Sequence, residues 1–170
     1  MKRHIQVFCS LLTFVLIFMA MPPIVFAASE SPQSEDIFLS DIELQQFEHC
    51  SADYSDVPVT LSSSLILDKT LSIAKYSSTQ LYITGTTQCI SSVKKCGFSK
   101  VTVQRRKNSS SSWSDYATYT ELYSNSSGYQ LGKLVTIKTG YQYRVKATHY
   151  AYESILSTQT ISATTSYLSF

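Results

Sequence analysis

From Val57 to the C-terminus the chain carries no sustained helical periodicity, and this limits its folding options more than any other feature. Ser, Thr, Tyr and Val dominate there, and turn signals recur roughly every 10 to 15 residues, a pattern that favours strands. The reading predicts strands near Ser64–Leu67, Leu71–Tyr76, Gln80–Gln88, Phe98–Lys107, Trp113–Tyr123, Leu131–Ile137, Tyr141–Tyr150 and Ile155–Ala163. Asn108 to Ser112 and Asn125-Ser126-Ser127-Gly128 read as hairpin turns. The expected fold class is all-β.

Successive strand side chains point to opposite faces. In Phe98–Lys107 one face carries Val101 and Val103 and the other Thr102, Gln104 and Arg106. In Tyr141–Tyr150 one face carries Tyr141, Tyr143, Val145 and Ala147, and the other Gln142, Arg144, Lys146 and Thr148. One face for a core and one for water is the signature of an antiparallel two-sheet β-sandwich.

The first 57 residues differ. Lys2-Arg3-His4, an apolar run from Val7 to Met21, Pro22-Pro23 and Val25-Phe26-Ala27 form the three-part layout of a secretory signal peptide, residues 1–27. The run is shorter than the about 20 residues that span a bilayer. Export, an extracellular location without a covalent anchor, and no transmembrane segment after cleavage are therefore expected. Residues 28–57 are polar and acidic, and read as an arm, disordered or loosely docked, because Ile42, Leu44 and Phe47 bury too little to offset ordering entropy. The domain itself is placed at residues 58–170.

Charge divides along the same line. Nine acids and no Lys or Arg lie between Ala28 and Asp68, whereas twelve Lys and Arg face three acids from Lys69 onward. Such asymmetry suits either an acidic arm folded back on a basic domain or a basic surface for an anionic partner. Export permits disulfides, and Cys89 and Cys96, flanking a polar loop, are the expected pair, leaving Cys50 unpaired.

Two resemblances sharpen the fold. Thr139-Gly140-Tyr141-Gln142-Tyr143-Arg144-Val145-Lys146-Ala147 resembles the penultimate strand of fibronectin type III and related sandwiches. That likeness makes Tyr143 a corner tyrosine whose hydroxyl bonds back to the upstream backbone, with Tyr141 the alternative holder. More widely, residues 65–163 are similar to a family of small secreted proteins of Gram-positive bacteria built on a domain of unknown function. The similarity runs through Val101-Thr102-Val103-Gln104-Arg105, the serine tip, Trp113, Gly140 to Val145, His149, Glu153-Ser154 and Ser157. It implies export and an immunoglobulin-like sandwich, and carries no activity and no site.

The usual catalytic patterns do not assemble. Outside the signal segment the histidines are His49 and His149, and no Gly-x-Ser-x-Gly elbow occurs. Cys89 and Cys96 are too far apart for a zinc knuckle, and the acids are too dispersed for a calcium loop. Asp115 and Glu121 fall about 20 Å apart on one strand, too far for a glycosidase pair. No enzyme, no metal and no cofactor are expected.

What remains is surface. Arg106, Arg144, Lys146 and Gln104 are expected on one outer sheet face, a candidate site for an anionic polymer, a glycan or a protein, with nucleic acid not expected. Trp113, Tyr116 and Tyr119 are a second candidate, an aromatic platform for sugar rings, though a sandwich core needs the same residues. The expected function is a secreted, non-catalytic binding module. The alternatives are a structural or colonisation-related exoprotein with an intramolecularly docked arm, and, third, an enzyme.

Overall fold

A computed structural model describes residues 32–53 and 64–170, and these form ten antiparallel strands and one helical turn. The expected signal peptide lies outside the described residues. In chain order the elements are β1 Ser34–Asp36, α1 Asp41–Leu44, β2 His49–Asp53, β3 Ile66–Ser77, β4 Gln80–Cys89 and β5 Lys95–Arg106. Then come β6 Ser114–Ser124, β7 Gly128–Thr136, β8 Gln142–Ser154, β9 Ser157–Thr165 and β10 Leu168–Ser169. The all-β expectation holds.

The sheet is curled, with strand order β1-β7-β4-β3-β2-β9-β8-β5-β6, and β10 adds to β8. β2 lets the sheet pass from one half to the other: His49–Ser51 pair with β3, and Ala52-Asp53 pair with β9. Curling brings the inner faces together. Leu71, Ile73, Leu81, Ile83, Leu131 and Val135 from one half share a core with Phe98, Val101, Val103, Tyr143, Val145 and Ala163 from the other. Val101 and Val103 of β5 lie directly opposite Ala147 and Val145 of β8, so the alternation read from sequence sets the register.

One expectation needs correction, and of the two readings of the arm, disordered or loosely docked, residues 32–53 follow the second. Ser64–Leu67 and Leu71–Tyr76 are not separate strands, because β3 runs through both. A register shift between Ile66 and Asp68 absorbs the polar interruption without breaking the pairing with β4. The arm is also more than a tail. β1 pairs with β7 at Asp36↔Lys133, and Lys133 forms a salt bridge with the Asp36 carboxylate.

Ser40 caps α1, and its hydroxyl and the Glu43 carboxylate satisfy each other's backbone groups in a capping box. Ile37, Leu39, Leu44 and Phe47 then pack on Ala74, Tyr82 and Leu134, the outward side chains of β3, β4 and β7. The Tyr82 hydroxyl accepts from the Leu39 amide at 3.0 Å and donates to the Ile37 carbonyl at 3.2 Å. Gly132 makes this possible, since a Cβ there would overlap the Ile37 carbonyl. Counting only Ile42, Leu44 and Phe47 misses Ile37 and Leu39, and misses the second apolar face awaiting them. Leu81-Tyr82-Ile83 and Leu134-Val135 are apolar on both sides, the signature of strands covered twice.

Candidate functional site

β5 and β8 are neighbours, with Gln104 opposite Arg144, Arg106 opposite Gln142, and Thr102 opposite Lys146. Their outward residues therefore form one face. The Arg106 Nε donates to the Gln142 side-chain oxygen at 2.7 Å, and the Arg144 Nε donates to that of Gln104 at 3.0 Å. Gln104 in turn donates its amide to Asp115 at 2.8 Å, an acid one strand further out on β6. Both glutamines thus hold an arginine by its inner nitrogen.

Trp113 completes the arrangement. The Arg106 and Arg144 guanidiniums lie 4.5 and 4.3 Å from the centre of its ring, within cation–π range. Tyr167, just before β10, takes Arg106 at 4.9 Å and stands 6.3 Å from Trp113 between ring centres. Burial, reinforced by the Arg106 charge, lowers the Arg144 pKa from its usual value. Lys146 is exposed beside this group, between Thr102 and Thr164.

The aromatic platform as grouped from sequence does not form. Trp113 lies with the arginines, whereas Tyr116 and Tyr119 pack against the core, so the three present no common surface. Plain alternation already puts Trp113 and Tyr116 on opposite faces, and a register shift in β6 beside Val103/Gln104 turns Tyr119 inward as well. Tyr116 meets Tyr143 edge-on at 5.6 Å, gives its hydroxyl to the Thr136 carbonyl at 3.1 Å, and carries Arg105 on its ring at 4.9 Å. Tyr119 lies under the Lys133 ammonium at 4.8 Å.

Sequence reading missed several members of the face. Lys100 and Lys95 continue it along β5, opposite Thr148 and Tyr152 of β8. Beyond Lys100 the rings of Tyr123 and Tyr150 come within 4.9 Å of each other. They flank Gly97, whose φ of +153 and close approach to the Leu122 carbonyl exclude a side chain. At the strand rise, Arg106 to Lys95 spans about 35 Å. Period-two counting from Thr102 reaches Lys100 directly, whereas the bulge at Phe98/Lys100 shifts the count before Lys95.

The remaining candidates are structural in their contacts. The Tyr143 hydroxyl donates to the Lys138 carbonyl at 2.9 Å and accepts from the Lys138 amide at 3.0 Å. His149 is wholly buried against Phe98. Cys89 and Cys96 are two thiols with Sγ atoms 2.8 Å apart, so the bridge expected between them is not formed here. Burial raises both thiol pKa values, and Cys96 also donates to the Thr87 carbonyl at 3.1 Å. A shallow cavity of about 300 Å³ lies beneath α1, lined by Asp41, Leu44, Gln45, His49, Ser72 and Ala74. There the His49 Nδ1 faces the Phe47 carbonyl at 3.0 Å. Among the described residues no group of His, Cys, Asp and Glu is placed to hold a metal ion. Comparison with protein-family models, curated proteins and solved structures returned no match.

Proposed function

We propose that this chain is a secreted, non-catalytic binding module with an immunoglobulin-like sandwich fold, and that its β5–β8 outer face takes an anionic polymer. The fold reading is supported by the strand order. One half pairs β3-β4-β7 and the other β6-β5-β8-β9, the arrangement of an A-B-E and C′-C-F-G sandwich, with β2 bridging the two. The Tyr143–Lys138 hydrogen bonds lie near the start of the penultimate long strand, where a corner tyrosine belongs.

One observation carries the functional reading. Arg106 and Arg144 share the ring of Trp113 while each Nε is held by a glutamine. Guanidiniums fixed in this way lose little entropy when their terminal amino groups bind sulfate, phosphate or carboxylate at two points. Lys146 and Lys100 extend the positive charge along the length of the strands, which suits a linear polymer better than a small molecule. The described part of the acidic arm lies on the β3-β4-β7 side, where Asp36 and Glu48 pair with Lys133 and Lys75.

The test is retention on immobilised heparin or teichoic polymer at low salt. Replacing Arg106, Arg144 and Lys146 together with Ser should abolish retention while the chain stays folded, at a modest cost in stability from the two half-buried arginines and their glutamine hydrogen bonds. Equal retention of the triple variant and the wild type would refute the reading. A Cys89–Cys96 disulfide, formed on export by exchange with an external disulfide, belongs to the same proposal.

A further inference from the structure

Ile155 and Leu156 are 89% and 98% exposed at the tip of the β8–β9 hairpin, a place that folding gives no reason to make apolar. Ser154 pairs with Ser157, so Ile and Leu form a two-residue turn where Asn, Asp and Gly are ordinarily preferred. Neither side chain joins any of the apolar clusters of the fold. Singly exposed apolar residues are common, but adjacent aliphatic residues projecting from a rigid hairpin are not.

The surroundings give this tip a chemical character. Lys94 donates its amide to the Tyr152 carbonyl at 2.8 Å, and Lys95 pairs with Tyr152, which places both lysines beside the hairpin. Leu67, 66% exposed, belongs to the same end, because the neighbouring Ile66 amide bonds to Gln159 of β9 at 2.9 Å. Tyr152, Tyr150 and Tyr123 follow on the side toward the sheet, with Lys95 above the Tyr123 ring at 6.0 Å. Three acids accompany them. Glu153 is bound by the Ser157 hydroxyl at 2.8 Å, and its pKa is lowered by hydrogen bonds from Ser92 and Ser157 and by Lys94. Asp68 follows Leu67 and accepts from the Lys69 amide at 2.8 Å, and Glu121 lies near Tyr123.

We infer that this end of the molecule inserts into the interface of an anionic lipid bilayer. Ile155 and Leu156 would enter the boundary of the acyl chains, Lys94 and Lys95 would meet the anionic headgroups, and the tyrosines would lie at headgroup depth, where amphipathic rings accumulate. A bilayer suits this end better than a protein groove because the apolar group is convex and narrow and is flanked by flexible cations rather than by a hydrogen-bonding rim. Lys95 stands where the basic face of β5 meets this tip, but Arg106, Arg144 and Lys146 at the other end of that face are not required for insertion, so this inference does not rest on the polymer reading.

The experiment uses the whole chain with Leu156→Trp as a local reporter, compared with a chain carrying only the native Trp113. Vesicles of phosphatidylcholine with phosphatidylglycerol should shift the added emission to the blue, and lipids brominated near the headgroup should quench it, while Trp113 is unaffected. Because the reporter reads the tip, attachment of the chain through Val7–Met21 does not produce this signal. Partitioning should weaken about tenfold for each aliphatic side chain changed to Ser, and about fivefold for each of Lys94→Gln and Lys95→Gln. Unshifted, unquenched Leu156→Trp emission on vesicles that bind the chain would overturn the inference. So would a dimer in sedimentation equilibrium that the Ile155→Ser/Leu156→Ser variant converts to monomer, which would make a second copy the partner.

Discussion

The His149 Nδ1 lies 2.8 Å from the Thr87 hydroxyl, and neither side chain is open to water. Thr87 donates its own proton to the Gly97 carbonyl at 3.2 Å, so it accepts from the ring, and the proton of the neutral imidazole belongs on Nδ1. Burial, with the Lys69 charge adding to it, lowers the His149 pKa from 6.5 to about 4. Between those values the unfolded chain binds more protons than the folded one. Stability is therefore complete above about pH 6.5 and falls as the pH drops toward 4, by about 3 kcal/mol in all. Urea midpoints should decline from about pH 7 to pH 5, above the range in which carboxylates titrate. His149→Gln should flatten that decline, and an equal slope in the variant would assign it to other groups.

The strands were legible because alternation is local: Val101, Val103, Val145 and Ala147 identify a buried face without knowledge of any partner. Features that depend on one extra residue were not legible. The bulge at Phe98/Lys100 moves Lys95 onto the basic face, and the one at Val103/Gln104 turns Tyr119 inward while Trp113 stays outward. Tyr167 was missed for another reason. It is near the C-terminus, and only the pairing of β10 with β8 brings it to Arg106.

The arm supplies the next expectation. Tyr82, Ala74 and Leu134 are covered by Ile37, Leu39, Leu44 and Phe47, so removing residues 28–53 would expose an apolar face. Deletion should lower the unfolding midpoint and promote aggregation. The milder Gly132→Ala should do part of this, because its methyl displaces the Ile37 carbonyl. Limited proteolysis checks it: cleavage within residues 32–48 should accelerate in Gly132→Ala while β5 and β8 stay protected.

The Tyr143 hydroxyl satisfies both the amide and the carbonyl of Lys138, fixing the turn that leads into β8. Tyr143→Phe keeps the ring contacts with Tyr116 and Phe170 and removes these two bonds together with the hydroxyl's contact with Arg105. The expected cost is about 1–3 kcal/mol, read as a lower urea midpoint with unchanged slope. A loss within error would mean that water replaces the hydroxyl there without penalty.

Cys89 and Cys96 end β4 and begin β5, strands in different halves of the curled sheet, so a bond between them would tie the halves at their crossover. Closing so short a loop stabilises by about 2.5 kcal/mol on the chain-entropy model. Exported protein should carry the bridge, with an intact mass about 2 Da below the reduced form and a higher midpoint without reductant. Cys50, its pKa raised to about 11 by burial and by Glu48, should remain a thiol that alkylates slowly at neutral pH. Peptide mapping that joins Cys50 to either partner would contradict this.

The last expectation separates charge from the scaffold that holds it. Trp113 carries no charge, yet Arg106 and Arg144 both rest on its ring, and Tyr167 supports Arg106 from a second side chain. Trp113→Leu leaves every cation in place and removes the surface that fixes two of them. Each cation–π contact at an exposed site contributes about 0.5–1 kcal/mol, so anion affinity should fall by about fivefold to thirtyfold. The salt dependence should stay the same, because the number of charges meeting the polymer is unchanged. Arg144→Ser should instead lower both affinity and salt dependence. Elution from immobilised heparin over a salt series measures the two quantities together. Trp113→Leu with wild-type affinity would show that the arginines bind without the ring, held by Gln104 and Gln142 and, for Arg106, by Tyr167.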